Sequence, residues 1–537
     1  MSSETVILLM PEIVLVLFGA AVYLAGAFWP GRPGWSWMAA AAILIAGVAL
    51  YQQHSAPLPT GGDDGPVIAS TITVDLFSTS FRFAILGVGL IFVMIASRWT
   101  SEAEESEFAG SLLMILAGLM LVALAGDLVL LFVGLELISI PTYVILYLGR
   151  GTNLLESGTK YFFLSVLSSA LMLYGFSFLY GAAGSTSLAD IRQALAAGDE
   201  QAAAMLPLAR LALILIVAGL AFRLTAVPFH FYAPDVYQGT THVNAGLLAV
   251  VPKIAALAAI VRVAFVAMPG LEQLGWQMAL ALAMITMTVG NLLALWQNNV
   301  RRLMAYSSIA HAGYMLIGLA VGFAVAGGAG EADNFDGVGA TLFYMLVYAV
   351  ATAGTFAALT YLHSDRRPVD SLDALAGLSS HSPKTAAAIA LFMFSLTGLP
   401  PLAGFWGKFA LFTGALGVDA AVPQESHLWR WFVALAIVGA VNAAISAGYY
   451  LRVVGVMYFR PAIRSLEPHG GSGPAWATAL CAAAVMAIGC YPGPWVAQAN
   501  RASQAARGVL EESSDQQRRQ ADGAPEKSVA NRVPDRQ

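Results

Sequence analysis

Residues 126–146 read GDLVLLFVGLELISIPTYVIL. Apart from Asp127 at one edge the stretch is apolar, and its length matches the roughly 20 residues with which a helix crosses a bilayer. A single carboxylate, Glu136, falls near its centre. Barrel strands are about ten residues long and alternate apolar with polar, and this run does neither. It reads as a membrane-spanning helix with an ionisable group inside it.

The rest of the chain repeats that pattern. Of 537 residues, 58% are hydrophobic and 11% are charged, where a soluble domain carries about 25% charged residues. Apolar runs fall at about 5–28, 36–52, 74–97, 109–126, 128–149, 160–183, 209–228, 243–266, 273–297, 303–325, 338–362, 385–415, 429–458 and 475–497. The fold class is therefore an all-α polytopic membrane protein of about fourteen transmembrane helices. Soluble enzyme, secreted module, disordered chain and nucleic-acid binder are excluded. The start, MSSETVILLMPEIVLVLFGAAVYLAGAF, lacks the basic region of a signal peptide and reads as a retained first span.

Loop charges set an orientation. With the N-terminus outside, the inner loops carry Arg32, Arg98, Arg150, Arg301, Arg302, Arg366, Arg367, Lys384, Arg460 and Arg464. The outer loops then carry Arg192, Arg210 and Arg430 beside the acidic GGDDG and EADNFDG. The positive-inside rule places both termini on the outer side. SLADIRQALAAGDEQ reads as a short amphipathic helix on the outer surface, and the polar tail from Asn500 as disordered or partner-dependent.

Chemistry concentrates at two interrupted helices. Aligning FRLTAVPFHFYAPDV (222–236) with FSLTGLPPLAGFWGK (394–408) pairs Phe222 with Phe394, Leu224 with Leu396, Thr225 with Thr397 and Pro228 with Pro400. Both stretches are apolar helices broken by proline near the middle of a span, the seventh and the twelfth. The breaks lie five spans apart, an odd offset that makes the copies point oppositely through the membrane, and paired broken helices of that kind point to an ion path. Proline kinks that only shape packing are the plainer alternative.

A charge at the bilayer centre costs about 2.5–3.5 kcal/mol on insertion scales, so such a group needs a partner or a task. Glu136, Lys253 and Lys408 lie within spans, and Arg223 directly precedes the seventh-span break. Lys160 opens the sixth span as an anchor or a proton carrier. His311 reads as a core histidine or a relay, His230 as a cap on the broken helix or a proton carrier, and Glu12 as interfacial. Desolvation disfavours the charged form of glutamate and lysine alike, and pairing opposes both penalties. A row of such groups with water between them can pass protons. Moving one charge against 100 mV requires about 2.3 kcal/mol. No nucleotide loop, CxxC or Cys/His cluster supplies it; Cys481 and Cys490 read as inert packing residues.

GDLVLLFVGLELISIPTYVIL, KYFFLSVLSSALMLYGFSFLYG, VPFHFYAPDVYQGT, LMAYSSIAHAGYMLIGL and LTGLPPLAGFWGKF together resemble the antiporter-like subunits of respiratory complex I, the proton-pumping NADH:quinone oxidoreductase. PDVYQG and the fourteen-span length point to its subunit N type over the larger L and M types. The resemblance covers roughly residues 75–460. It implies two inverted five-helix repeats, spans 4–8 and 9–13, with interrupted helices 7 and 12. The resulting organisation is 1–108 (helices 1–3), 109–270 (first repeat), 271–460 (second repeat), 461–499 (helix 14) and 500–537 (polar tail).

By the same resemblance, Glu136 is the fifth-helix carboxylate, Lys160 the sixth-helix lysine, Lys253 the central lysine and Lys408 the twelfth-helix lysine. His311 sits where the family often places a connecting polar residue. Arg223 departs from the lysine usual there, and arginine stays protonated, so it is expected to act as a fixed counter-charge to Glu136. The resemblance further implies no cofactor in this chain, with flavin, iron–sulfur clusters and quinone in partner subunits. Partners are neighbouring antiporter-like and small membrane subunits, the lipid bilayer and protons, in a bacterial inner membrane. A subunit of a multisubunit Na⁺/H⁺ antiporter, an inert scaffold subunit and a hydrogenase membrane subunit are the competing readings.

Overall fold

The computed structural model describes residues 3–29, 31, 33–55, 67–69, 71–97, 104–149, 151–198, 200–329, 336–363, 369–420, 426–463 and 469–521. Arg32, Arg98, Arg150, Arg366, Arg367 and Arg464 lie outside the described residues, as do GGDDG, most of EADNFDG, part of SEAEESE and the end of the tail.

The described chain is a bundle of helices. After α1 (Ser3–Leu8) come α2 (Met10–Phe28) and α3 (Trp35–Ser55), then a small hairpin of β1 (Val67–Ala69) and β2 (Ile72–Val74). Next are α4 (Leu76–Ala96), α5 (Glu105–Leu124), α6 (Leu128–Tyr147), α7 (Thr152–Ala183), the short α8 (Leu188–Ala196) and α9 (Glu200–Leu224). The seven-residue α10 (Ala233–Gly239) precedes α11 (His242–Ile260), which continues as a π-helical turn over Val261–Ala267. There follow α12 (Glu272–Leu295), α13 (Val300–Ala326), α14 (Gly337–Leu362), α15 (Leu378–His381), α16 (Pro383–Thr397), α17 (Ala403–Gly417), α18 (His427–Phe459), α19 (Ser472–Cys490) and α20 (Gly493–Ala521).

Thirteen of these helices are long and apolar enough to cross a membrane. The remaining expected run, 385–415, is divided into the two 15-residue helices α16 and α17. Polar side chains cap helix starts whose N–H groups would otherwise lack partners. Asp75 forms a reciprocal capping box with Ser78, and Asp127, Thr241 and Asn299 cap α6, α11 and α13.

The core lies along α11, every residue of which is buried, with α13 and α14 packed against it and nearly as enclosed. Peripheral helices keep apolar faces exposed, as Phe163 and Leu167 on α7 and Ile437 and Val441 on α18 do. That inside-out distribution is what lipid as the outer solvent permits.

Two expectations are corrected and one is refined. Glu12 is buried rather than interfacial, because Arg82 of α4 reaches both its oxygens at 2.7 and 2.8 Å and compensates its charge. The seventh-span break divides its helix unequally, with the 25-residue α9 before it and only the short α10 after it. The region from Asn500 is not free of structure. Helix α20 reaches Ala521, and Ala502, Ser503 and Ala506 are buried against α4 and α14. Small residues at helical spacing let it approach closely, and Arg507 pairs with Asp336 at 2.5 Å.

A second buried pair was not foreseen. Arg262, in the π-helical turn, donates to both oxygens of Asp75 at 2.7 and 2.9 Å and to Ala123 O, with its guanidinium over the Phe77 ring. It fastens the far end of α11 to the start of α4 and the end of α5.

Candidate functional site: an ionisable row through the bundle

Glu136 sits on α6 facing the last turn of α9. Arg223 Nη2 lies 3.4 Å from Glu136 Oε1, and Ser169 Oγ of α7 donates to the same carboxylate oxygen. The guanidinium also donates to Ser139 Oγ at 2.9 Å and approaches Leu135 O at 3.4 Å. Arg223 is withdrawn from solvent, with 3% of its side chain exposed against 24% for Glu136. The first acid of the row is thus paired with arginine rather than with a lysine.

One residue beyond Arg223 the helix ends. Thr225 adopts φ 60°, and Val227 N–H donates to Thr286 Oγ1 of α12 at 3.1 Å, so a neighbouring hydroxyl satisfies the freed backbone. Lys253, midway along the enclosed α11, donates to Thr225 Oγ1 at 3.1 Å and Ser308 Oγ at 2.7 Å. Among the described residues no carboxylate lies within ion-pairing distance of it. Tyr348 OH donates to the same Ser308 oxygen at 2.9 Å.

His311 follows on α13, its ring centroid 5.0 Å from that of Tyr348. Its Nδ1 meets Tyr344 OH at 2.5 Å and its Nε2 meets Tyr450 OH at 2.9 Å, while Tyr450 also contacts Ser307 Oγ. Beyond His311, Lys408 of α17 lies with Nζ 4.7 Å from the Tyr314 ring centroid and donates to Thr397 O at 2.9 Å. Thr397 is the last residue of α16, and Gly398 takes φ 93° to end that helix. A Cβ on Gly404 would lie 1.7 Å from Ser395 O, so only glycine lets α17 start this close to α16.

The structure does not bring Lys160 and His230 into this row. Lys160 binds Glu156 at 2.7 Å and Asp235 at 3.3 Å in a solvent-open cavity with Asn153 and Gln238. It lies about 13 Å along α7 from Ser169. Arg302 binds Asp235 from the other side at 2.6 Å. His230 is half-buried in the non-helical stretch before α10, and its Nδ1 has no partner among the described residues.

Residue reading missed the hydroxyls. Ser307 and Ser308 stand in LMAYSSIAHAGYM, one turn before His311, and Tyr344 and Tyr348 share one face of α14 at i, i+4 spacing. Four hydroxyls at those spacings, all buried, were the available signal.

These features define a polytopic membrane protein with two interrupted stretches and a line of charged and hydroxyl groups across its interior. A family described as NADH:quinone oxidoreductase/Mrp antiporter, TM matches residues 125–423. The NADH-quinone oxidoreductase subunit N of Jannaschia sp. is 38% identical over 503 residues, covering 92% of this chain and 96% of that protein. A chain of respiratory complex I from Thermus thermophilus superposes with a TM-score of 0.71 at 31% identity, over 90% of this chain and 98% of that one. A chain of the Mrp complex from Dietzia sp. superposes with a TM-score of 0.76, but at 20% identity over 95% and 99% of the two chains this likeness shows the fold alone. The chain belongs to the antiporter-like membrane subunits of NADH:quinone oxidoreductase, as a subunit N.

Proposed function

We propose that this chain is the proton-translocating, non-redox subunit N of a complex I membrane arm, driven by NADH oxidation and quinone reduction in partner subunits. The observation that carries this reading is the pair of buried lysines at the two helix breaks. Lys253 donates to Thr225 and Lys408 to Thr397, the threonines that the internal alignment pairs. A buried ammonium whose partners among the described residues are hydroxyls, a carbonyl and a tyrosine ring face is poorly compensated, so small movements of its surroundings change its hold on a proton.

Glu136 and Arg223 form the first station, Lys253 with Ser308 and Tyr348 the second, His311 between Tyr344 and Tyr450 the third, and Lys408 the fourth. Arg223 keeps its proton and biases Glu136 electrostatically; lysine, histidine and the hydroxyls carry the transfer. The solvent-open Lys160–Asp235–Arg302 cluster is the entrance on one side. His230, at the break, shapes the backbone there. On this reading the two breaks belong to inverted repeats, the termini face outward in a bacterial inner membrane, and flavin, iron–sulfur and quinone chemistry belongs to partner chains.

The test is proton pumping per electron by the assembled complex in sealed vesicles, with Lys253→Met and Lys408→Met in this chain. Lower stoichiometry in an assembled, NADH-oxidising complex is expected. Unchanged stoichiometry in both variants would leave the chain a scaffold.

A further inference from the structure

Three metal-type donors from separate elements converge at the end of the bundle where α11 begins. His242 is the first residue of α11, His363 directly follows α14, and Asp370 lies in the segment that joins the start of α13. Backbone bonds hold that segment in place, with Val300 N–H donating to Asp370 O at 2.8 Å and Leu372 N–H to Asn298 O at 2.9 Å. One donor atom from each of the three side chains lies within 4.8 Å of the others. The two imidazole rings meet at a centroid distance of 5.0 Å, 74° apart.

His242 is the independent pointer. It is 3% exposed, yet neither of its ring nitrogens has a hydrogen-bond partner among the described residues. Buried polar atoms in native proteins are almost always engaged, so an imidazole with both nitrogens idle calls for a ligand. We propose that His242, His363 and Asp370 bind a divalent cation of the zinc class, tying the start of α11 to the end of α14.

The donor set fits that class. Two imidazoles and a carboxylate are a recurring zinc set that leaves a fourth position for water, with bonds of about 2.0–2.2 Å. Ligand atoms around such a tetrahedral ion stand about 3.4 Å apart, so donors now within 4.8 Å of one another need to draw in by no more than about 1.4 Å. Arg301 donates to Asp370 Oδ1 at 2.8 Å and to Thr240 O, leaving Oδ2 of the carboxylate for the metal. Hydrogen-bonded carboxylate ligands are the rule at metal sites. The guanidinium is also a competing positive charge, and its presence favours a site with an affinity below that of a structural zinc. His363 Nδ1 accepts from Val369 N–H at 3.4 Å, a weak bond that a metal would displace. Asp370 keeps 41% of its side chain in solvent, which provides a way in.

The inference is independent of the proton-carrying reading, because its readout is metal and not pumping. The full chain in lipid nanodiscs, stripped with chelator, is titrated with Zn²⁺ alone and its coordination read by zinc-edge X-ray absorption. One equivalent with histidine scattering is expected. His242→Gln and His363→Gln should each weaken binding at least about tenfold, with His381→Gln as a control that does not. If His242→Gln fails to fold, His363→Gln, at the more exposed position, carries the comparison. No zinc taken up by the parent chain, or equal affinity in the folded variants, overturns the site.

Discussion

Lys253 Nζ lies 3.1 Å from Thr225 Oγ1, so the lysine at the centre of the bundle is anchored on the broken end of a different helix. Movement of that break relative to α11 therefore changes the lysine's immediate solvation without any change in α11 itself. Lys408 stands in the same relation to Thr397, although it uses the backbone carbonyl.

Lys253→Met should leave an assembled complex that pumps fewer protons per electron. Lys253→Arg should fail similarly although it keeps the charge, because guanidinium does not release its proton at physiological pH. Vesicle acidification measured beside NADH oxidation checks both, and an arginine variant with full stoichiometry would mean that charge alone suffices.

Arg223→Lys tests the fixed counter-charge. A lysine there can lose its proton at high pH, and Glu136 would then lose its electrostatic partner. The variant should show an alkaline fall in pumping that the parent lacks, with the two alike near neutrality. Superimposable pH profiles would remove Arg223 from the role.

Tyr450→Phe strips one partner from His311 Nε2 and one from Ser307. A buried acceptor or donor left unsatisfied costs about 1–3 kcal/mol, so the variant should melt lower than the parent in detergent. Tyr344→Phe, on the opposite ring nitrogen, should behave alike. Loss of pumping exceeding the loss of folded protein would separate a relay from a packing role.

The pair Arg262–Asp75 gives a contrast. Removing one member of a buried ion pair costs about 3–5 kcal/mol, while replacing both with apolar residues can be nearly neutral. Arg262→Met should sharply reduce the folded yield, and Arg262→Met with Asp75→Leu should recover part of it. Protons pumped per electron in the surviving complex should not change. Quantitative immunoblotting of membranes with a pumping assay resolves the two effects.

Much of this architecture was readable because lipid demands long apolar runs, and each of the fourteen runs has a helical counterpart, one of them split. Glu136, Lys253 and Lys408 were visible for the same reason: a charge inside such a run is costly enough to stand out. Their partners were not. Ser308, Tyr348 and Tyr450 are individually ordinary in a membrane helix, and only tertiary packing brings them onto Lys253 and His311. Glu12 looked peripheral because its partner, Arg82, lies 70 residues away, on a helix it meets only in the folded bundle. Lys160 was placed in the row by resemblance, whereas its helix turns it toward the solvent-open cavity with Asp235.

The complete enclosure of α11 insulates it from the lipid. Its surface meets protein on every side, so under the proposed role a proton on Lys253 would have no lateral leak into lipid and would arrive and leave along the hydroxyls of neighbouring helices. Thinning or stiffening of the surrounding bilayer reaches that lysine only by shifting the helices that wrap it, so the sheath and not the enclosed helix is the part that feels the lipid.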